Sequence, residues 1–168
     1  MVNFVRIDGN KEKINMASNL FDSKNARLET AFAAFLAYNV SGELVGLTIL
    51  NTEGTNDFMF LDVYILKEFQ GRGYGKEITL AMKELFSSYD ELMIAQTRNY
   101  NVFANKILES EGVFLLEHKI DKYYLLGDIN KLTKEKLKKL IDHRYFGKDT
   151  KDICNIYKED DYKVKVKI

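Results

Sequence analysis

The 168-residue chain has no proline, a single cysteine and only two histidines. Without proline, no slow X-Pro isomerisation is expected to delay folding. A lone Cys154 excludes an intramolecular disulfide and is expected to be an inert buried thiol, and two histidines do not make a metal-ligand cluster. No apolar run approaches the ~20 residues that a membrane-spanning helix requires. The first residues, Met1-Val2-Asn3-Phe4-Val5-Arg6, lack the basic stretch, long apolar run and small-residue site of a secretory signal. A reducing, cytoplasmic setting away from the membrane is therefore expected. Net charge is absent as well, with 25 basic and 25 acidic residues, but its distribution is uneven. Residues 1–129 carry 13 Lys+Arg against 18 Asp+Glu, and residues 130–168 carry 12 against 7. In the basic tail the charges alternate in sign and show no aromatic stacking pattern. It reads as a solvated face rather than a nucleic-acid surface. With 46% apolar and 30% charged residues, the chain has the composition of an ordinary globular domain with its own core.

What is present is a clear alternation of elements. Asn3 to Ile7 is a short strand and Lys11 to Phe21 has helical spacing at Ile14, Ala17, Leu20 and Phe21. Glu29 to Tyr38 and Leu44 to Leu50 flank the turn Val40-Ser41-Gly42-Glu43 as a hairpin. Phe58 to Leu66 is a strand, Lys76 to Ser87 a helix and Leu92 to Gln96 a strand. Asn101 to Glu109 is helical, and Val113 to Glu117 with Tyr123 to Leu126 closes as a hairpin. A helical crossover between two strands implies one parallel pair in an otherwise antiparallel sheet. Thr133 caps a further helix to Ile141, with Leu132, Leu137, Leu140 and Ile141 as its docking face. Tyr162 to Ile168 alternates strictly and reads as a strand with a lysine face. That strand pairs either in its own sheet or with another subunit, so a homodimer is one of two expectations.

The most telling stretch is Phe69-Gln70-Gly71-Arg72-Gly73-Tyr74-Gly75-Lys76, between a strand and a helix. Alternating glycines let the backbone approach an anion closely and adopt φ of either sign. The first amides of the following helix have no internal partner, and the helix dipole adds positive charge there. This is a place for a phosphate. The spacing is not G-x-G-x-x-G, the dinucleotide fingerprint. A nucleotide-triphosphate loop fails too, because Gln70 stands at its first glycine and Glu77 at its hydroxyl residue.

The pattern Gln70-x-x-Gly73-x-Gly75 resembles the pyrophosphate turn of the GNAT superfamily, the acyl-CoA-dependent N-acetyltransferases. A second cluster, Asn101-x-x-Ala104-x-x-Ile107-Leu108-Glu109-x-x-Gly112-Val113, is similar to that family's other signature, and its Gly112 suits a left-handed helix end. The resemblance covers roughly residues 1–127 and implies an α/β (α+β) fold, a mixed, mostly antiparallel splayed sheet flanked by helices. Residues 128–168 would then be a C-terminal helix-plus-strand extension packed on the same domain. The resemblance further implies acetyl-CoA as cosubstrate, direct acetyl transfer, and a primary amine on a small molecule or peptide as acceptor. Val63 and Ile65 would meet the pantetheine arm through their backbone, and Asn101 through its side chain. Gln70, Gly71, Arg72, Gly73, Tyr74, Gly75 and Lys76 would hold the pyrophosphate.

Two positions depart from the family. The usual acid, a tyrosine, is Leu108, and the usual base, a glutamate, is Met59. Asp57 is the candidate replacement base, two residues before Met59 on the same strand face. Tyr100, just ahead of Asn101, is the candidate acid; Tyr123 and Tyr124 are phenols expected to pack instead. Asp62 is expected to be structural and His118 a surface residue at a strand end. Between the first two strands there is room for one good helix and a loop, where the family usually has two helices. A non-catalytic acyl-CoA-binding module and an interaction protein using the basic tail are the competing readings.

Overall fold

Strands form where apolar residues run or alternate, and helices where they recur every three to four positions. The computed structural model describes residues 1–21 and 25–146. They fall into two units, divided between Met93 and Ile94.

The first unit runs β1 (Asn3–Arg6), α1 (Lys11–Phe21), α2 (Asn25–Glu29), β2 (Ala33–Tyr38), β3 (Leu44–Asn51), β4 (Phe58–Ile65) and α3 (Tyr74–Leu85). Its four strands pair in order and antiparallel, in registers such as Asn3↔Tyr38, Leu36↔Leu47 and Ile49↔Asp62. On one sheet face, Leu36, Leu47 and Ile49 pack with Ile14 and Ala17 of α1 and Leu28 of α2. Phe35, of opposite parity, meets Phe86 at the end of α3 edge-on, with ring centroids 6.4 Å apart. Tyr89 and Phe32 extend this aromatic cluster.

Several elements differ from the sequence reading, among them β2, which begins at Ala33 rather than Glu29. There are two helices between β1 and β2, not one with a loop. The five residues of α2 are too few to display a repeated helical pattern, and Leu28, 1% exposed, anchors it in the core. Helix α3 begins at Tyr74, inside the glycine motif. Leu92, which opens β5 (Leu92–Arg98), donates to the carbonyl of Asp57 just ahead of β4, at 2.8 Å.

The second unit holds the rest of β5, then α4 (Val102–Glu111), β6 (Val113–His118), β7 (Asp121–Leu125) and α5 (Lys134–Ile141). Strand β7 pairs antiparallel with both β5 and β6, as in Gln96↔Tyr123 and Leu116↔Tyr123. Gly112, expected to end α4 in a left-handed conformation, is instead extended, with φ −136° and ψ −175°. What demands a glycine is crowding, since a Cβ there would lie 2.8 Å from the carbonyl oxygen of Leu125. Thr133 caps α5 as expected, accepting from the amide of Lys136 at 3.1 Å. Leu132, Leu137, Leu140 and Ile141 are all buried. The class is α/β with mostly antiparallel pairing, as the sequence implies. Among the described residues, no helix is long and apolar enough to cross a membrane. The expected tail strand Tyr162 to Ile168 and Cys154 lie outside the described residues.

Candidate functional site

In the first unit the chain leaves β4 at Ile65 and makes a single tight turn, Lys67–Phe69. Gln70 latches this turn twice: its amide donates to the carbonyl of Lys67 at 3.3 Å, and its side-chain Nε2 to that of Ile65 at 3.0 Å. Gly71 (φ +76°) and Gly73 (φ +90°) then lie in the left-handed region, where only glycine sits without cost. A Cβ on either would meet no atom of the chain within 4 Å beyond its sequence neighbours. Crowding therefore does not explain these two glycines. They hold a bent backbone next to open space.

Gly73 is also the N-cap of α3, a helix of 12 residues. Its carbonyl receives the first internal helix bond, from the amide of Glu77 at 3.1 Å. The amides of Tyr74, Gly75 and Lys76 precede that bond, at the positive end of the helix dipole. Arg72 is exposed, with its guanidinium 5.4 Å from the centroid of the Phe69 ring, and Phe69 lies edge-on to Tyr74 at 6.0 Å. A cation is thus tethered beside the turn, and the exposed Lys76 adds another on the helix. Positive backbone, nearby cations and unobstructed glycine positions fit a pyrophosphate. Val63 and Ile65 are half-buried at the end of β4 that leads into this turn.

The sequence candidates for acid and base are placed differently. Asp57 is half-buried and stands just before β4, at the end opposite the glycine turn. Along the strand this separates it from Ile65 by about 26 Å. Met59 and Leu108, at the usual base and acid positions, are core residues, 1% and 7% exposed. Asp62 is structural, as expected: it forms an ion pair with Arg27 of α2. Tyr64, which the sequence reading passed over, follows Val63 on β4. Burial pushes its phenol above the ordinary value, helped by the Asp62 carboxylate and opposed by Arg27. Its charged surroundings are hard to read in sequence, because an aromatic in an apolar strand looks like packing alone.

In the second unit, Tyr100 is 70% exposed in the turn between β5 and α4. Asn101 is the N-cap of α4, its Oδ1 accepting from the amide of Ala104 at 3.1 Å. The cap engages the side-chain oxygen, and the Nδ2 group is the part that suits a ligand carbonyl. Behind this turn lies a group that sequence reasoning missed. Asn105, 7% exposed, donates through Nδ2 to the carbonyls of Arg98 and Asn101, both at 2.8 Å. Its Oδ1 accepts from the hydroxyl of Tyr124 at 2.9 Å. Tyr123 and Tyr124 are fully inside. Burial, then the carboxylate of Glu109, pushes the Tyr124 phenol up to about 12, so it stays a hydrogen-bond donor. Only the position of Asn105 on the buried side of α4, one turn from Leu108, hints at it in sequence. His118 closes β6 and is half-buried.

A model of the acetyltransferase (GNAT) family matches residues 9–112. No curated protein matches the sequence. Among solved structures, an IAA acetyltransferase from Bacillus cereus is similar at a TM-score of 0.59 and 16% identity, over 75% of this chain and 100% of that one. A Campylobacter jejuni N-acetyltransferase in complex with acetyl coenzyme A gives 0.55 and 16%, over 75% and 98% of the two chains. The ribosomal-protein-S18-alanine N-acetyltransferase of Escherichia coli gives 0.58 and 12%, over 76% and 96%. At such identities the likeness is one of fold, and the family match is what places the sequence. The chain belongs to the acetyltransferase (GNAT) family, the acetyl-CoA-dependent acyltransferases.

Proposed function

We propose that this protein is a cytoplasmic N-acetyltransferase that moves an acetyl group directly from acetyl-CoA to a primary amine. The observation that supports it most is the glycine turn, with Gly71 and Gly73 left-handed and open at the head of α3. When bound, acetyl-CoA supplies an activated acetyl thioester, and its transfer to an amine releases the CoA thiol. The amides from Gly71 to Lys76, with Arg72 and Lys76, would hold the pyrophosphate through charge-assisted hydrogen bonds. Gln70 fixes the turn against Ile65 and so sets where those amides point. The backbone of Val63 and Ile65 and the Nδ2 group of Asn101 would hold the pantetheine arm. We take residues 1–127 as the acetyltransferase domain and 128–168 as its extension.

An amine nucleophile must lose its proton, and the departing thiolate must gain one. Asp57 and Tyr100 are the proposed base and acid. The excess of acid over base in residues 1–129 supports a cationic acceptor, a small amino compound or a basic peptide. The test is thiol release from acetyl-CoA against a panel of amines, amino acids, polyamines and basic peptides. Amine-dependent release that Gly73→Asp abolishes is the expected result. Tight CoA binding with no release on any acceptor would overturn the catalytic reading and favour an acyl-CoA-binding module, which the apolar Met59 and Leu108 motivate.

A further inference from the structure

Asn105 stands in the second turn of α4, where a leucine would pack as well and favour the helix more. Burying an amide instead is costly unless all its polar atoms are paired. Here they are. One side chain ties the end of β5 (Arg98 carbonyl) to the cap of α4 (Asn101 carbonyl), and Tyr124 of β7 holds its oxygen from behind. The ring of Tyr124 is itself fixed, edge-on to Phe114 at 5.6 Å. The segment thereby closed carries Tyr100 and Asn101 on its exposed side, with Val102 and Phe103 following at 71% and 76% exposure. The polar network is buried while the residues it orients face outward.

We propose that Asn105, backed by Tyr124, is a positioning residue for the pantetheine arm of CoA, acting through Asn101. This rests on the cofactor reading above. The amide fixes the main chain of Asn101 on its carbonyl side, and Ala104 fixes its side-chain oxygen. Together these direct the Nδ2 group. Removing Asn105 leaves the pyrophosphate turn, on a different element, unchanged, so the loss should be confined to the pantetheine part of the ligand.

The test is calorimetry on the full chain with two probes, CoA and its phosphoadenosine diphosphate moiety, which lacks pantetheine. The variants are Asn105→Leu, Asn101→Ala, the double variant and Tyr124→Phe. Asn105→Leu should weaken CoA by about 5- to 10-fold, the worth of one or two hydrogen bonds, and leave the fragment within about twofold. Asn101→Ala should behave alike, and the double variant should be no more than about twofold worse than the weaker single, because both changes remove the same contact. Tyr124→Phe deletes one oxygen and should show the same selectivity at smaller size. It carries the cycle if Asn105→Leu does not fold. Equal weakening of both probes would mean general damage and would overturn the proposal, as would losses that multiply in the double variant. A parent protein that binds neither probe would overturn the cofactor reading, and the proposal with it.

Discussion

Placing an aspartate at Gly73 separates the demands of the fold from those of the ligand. Gly73 has φ +90°, and a side chain there meets no neighbour within 4 Å, so the structural cost is one of backbone conformation. Holding an L-residue in the left-handed region costs about 1–2 kcal/mol. An aspartate at a helix N-cap recovers part of this by accepting from the first-turn amides. The net change is about 1 kcal/mol, which lowers the melting temperature of a domain this size by roughly 2–4 °C. The ligand meets a larger penalty. The new carboxylate engages the amides that a pyrophosphate needs, and it places like charges near one another. At a separation of ~5 Å and an effective dielectric constant of ~20, that repulsion is about 3 kcal/mol, or roughly a hundredfold in affinity. Calorimetric titration with CoA, beside thermal unfolding without it, measures both. A folded variant that binds CoA within threefold of the parent would refute the reasoning. Gly73→Ala, with the strain and the bulk but not the charge, should fall between.

Three further outcomes follow from the packing. Gly112→Ala puts a methyl 2.8 Å from the carbonyl oxygen of Leu125 with no left-handed strain, so it should destabilise by about 1–3 kcal/mol in urea unfolding. An unchanged midpoint would refute that close approach. Thr133→Ala removes the α5 cap and should cost about 1 kcal/mol in the same assay. Tyr124 gives a pH signature. Its phenol is raised from the ordinary 10 to about 12 on folding, so its contribution is complete below pH 10 and is lost as pH rises through about 12. Over that window the unfolded chain ionises first. Stability measured across it should fall less steeply in Tyr124→Phe than in the parent, and equal slopes would contradict the assignment.

Local signals were legible where a few adjacent residues set the structure. Apolar runs placed β3 and β4, Thr133 announced α5, and the spacing of Gln70, Gly73 and Gly75 announced the turn. Features set by distant contacts were not. Helix α2, at five residues, is too short to repeat the helical period, and it stands on the burial of Leu28 and the pairing of Arg27 with Asp62. Gly112 at a helix end suggested a left-handed turn, but the reason for glycine is Leu125, 13 residues on and across the β6–β7 hairpin. Asn105 and Tyr124 are 19 residues apart and become a pair only once β7 lies beside β5. Tyr64 looked like strand packing because Arg27, which pairs with Asp62, reaches β4 only in three dimensions. The same limit applies to proton transfer. With Leu108 and Met59 both in the core, its chemistry depends on groups that the folded chain brings together, whereas the glycine turn depends on eight consecutive residues.

The most direct test of the central claim is the melting temperature of the protein with acetyl-CoA, CoA and ATP in parallel, since a ligand that binds the native state raises it by mass action. A rise with acetyl-CoA and CoA and none with ATP is expected, and in Gly73→Asp a much smaller rise with either CoA ligand. No rise with CoA in the parent, or an equal rise in the variant, would contradict the placement of the cofactor at the glycine turn.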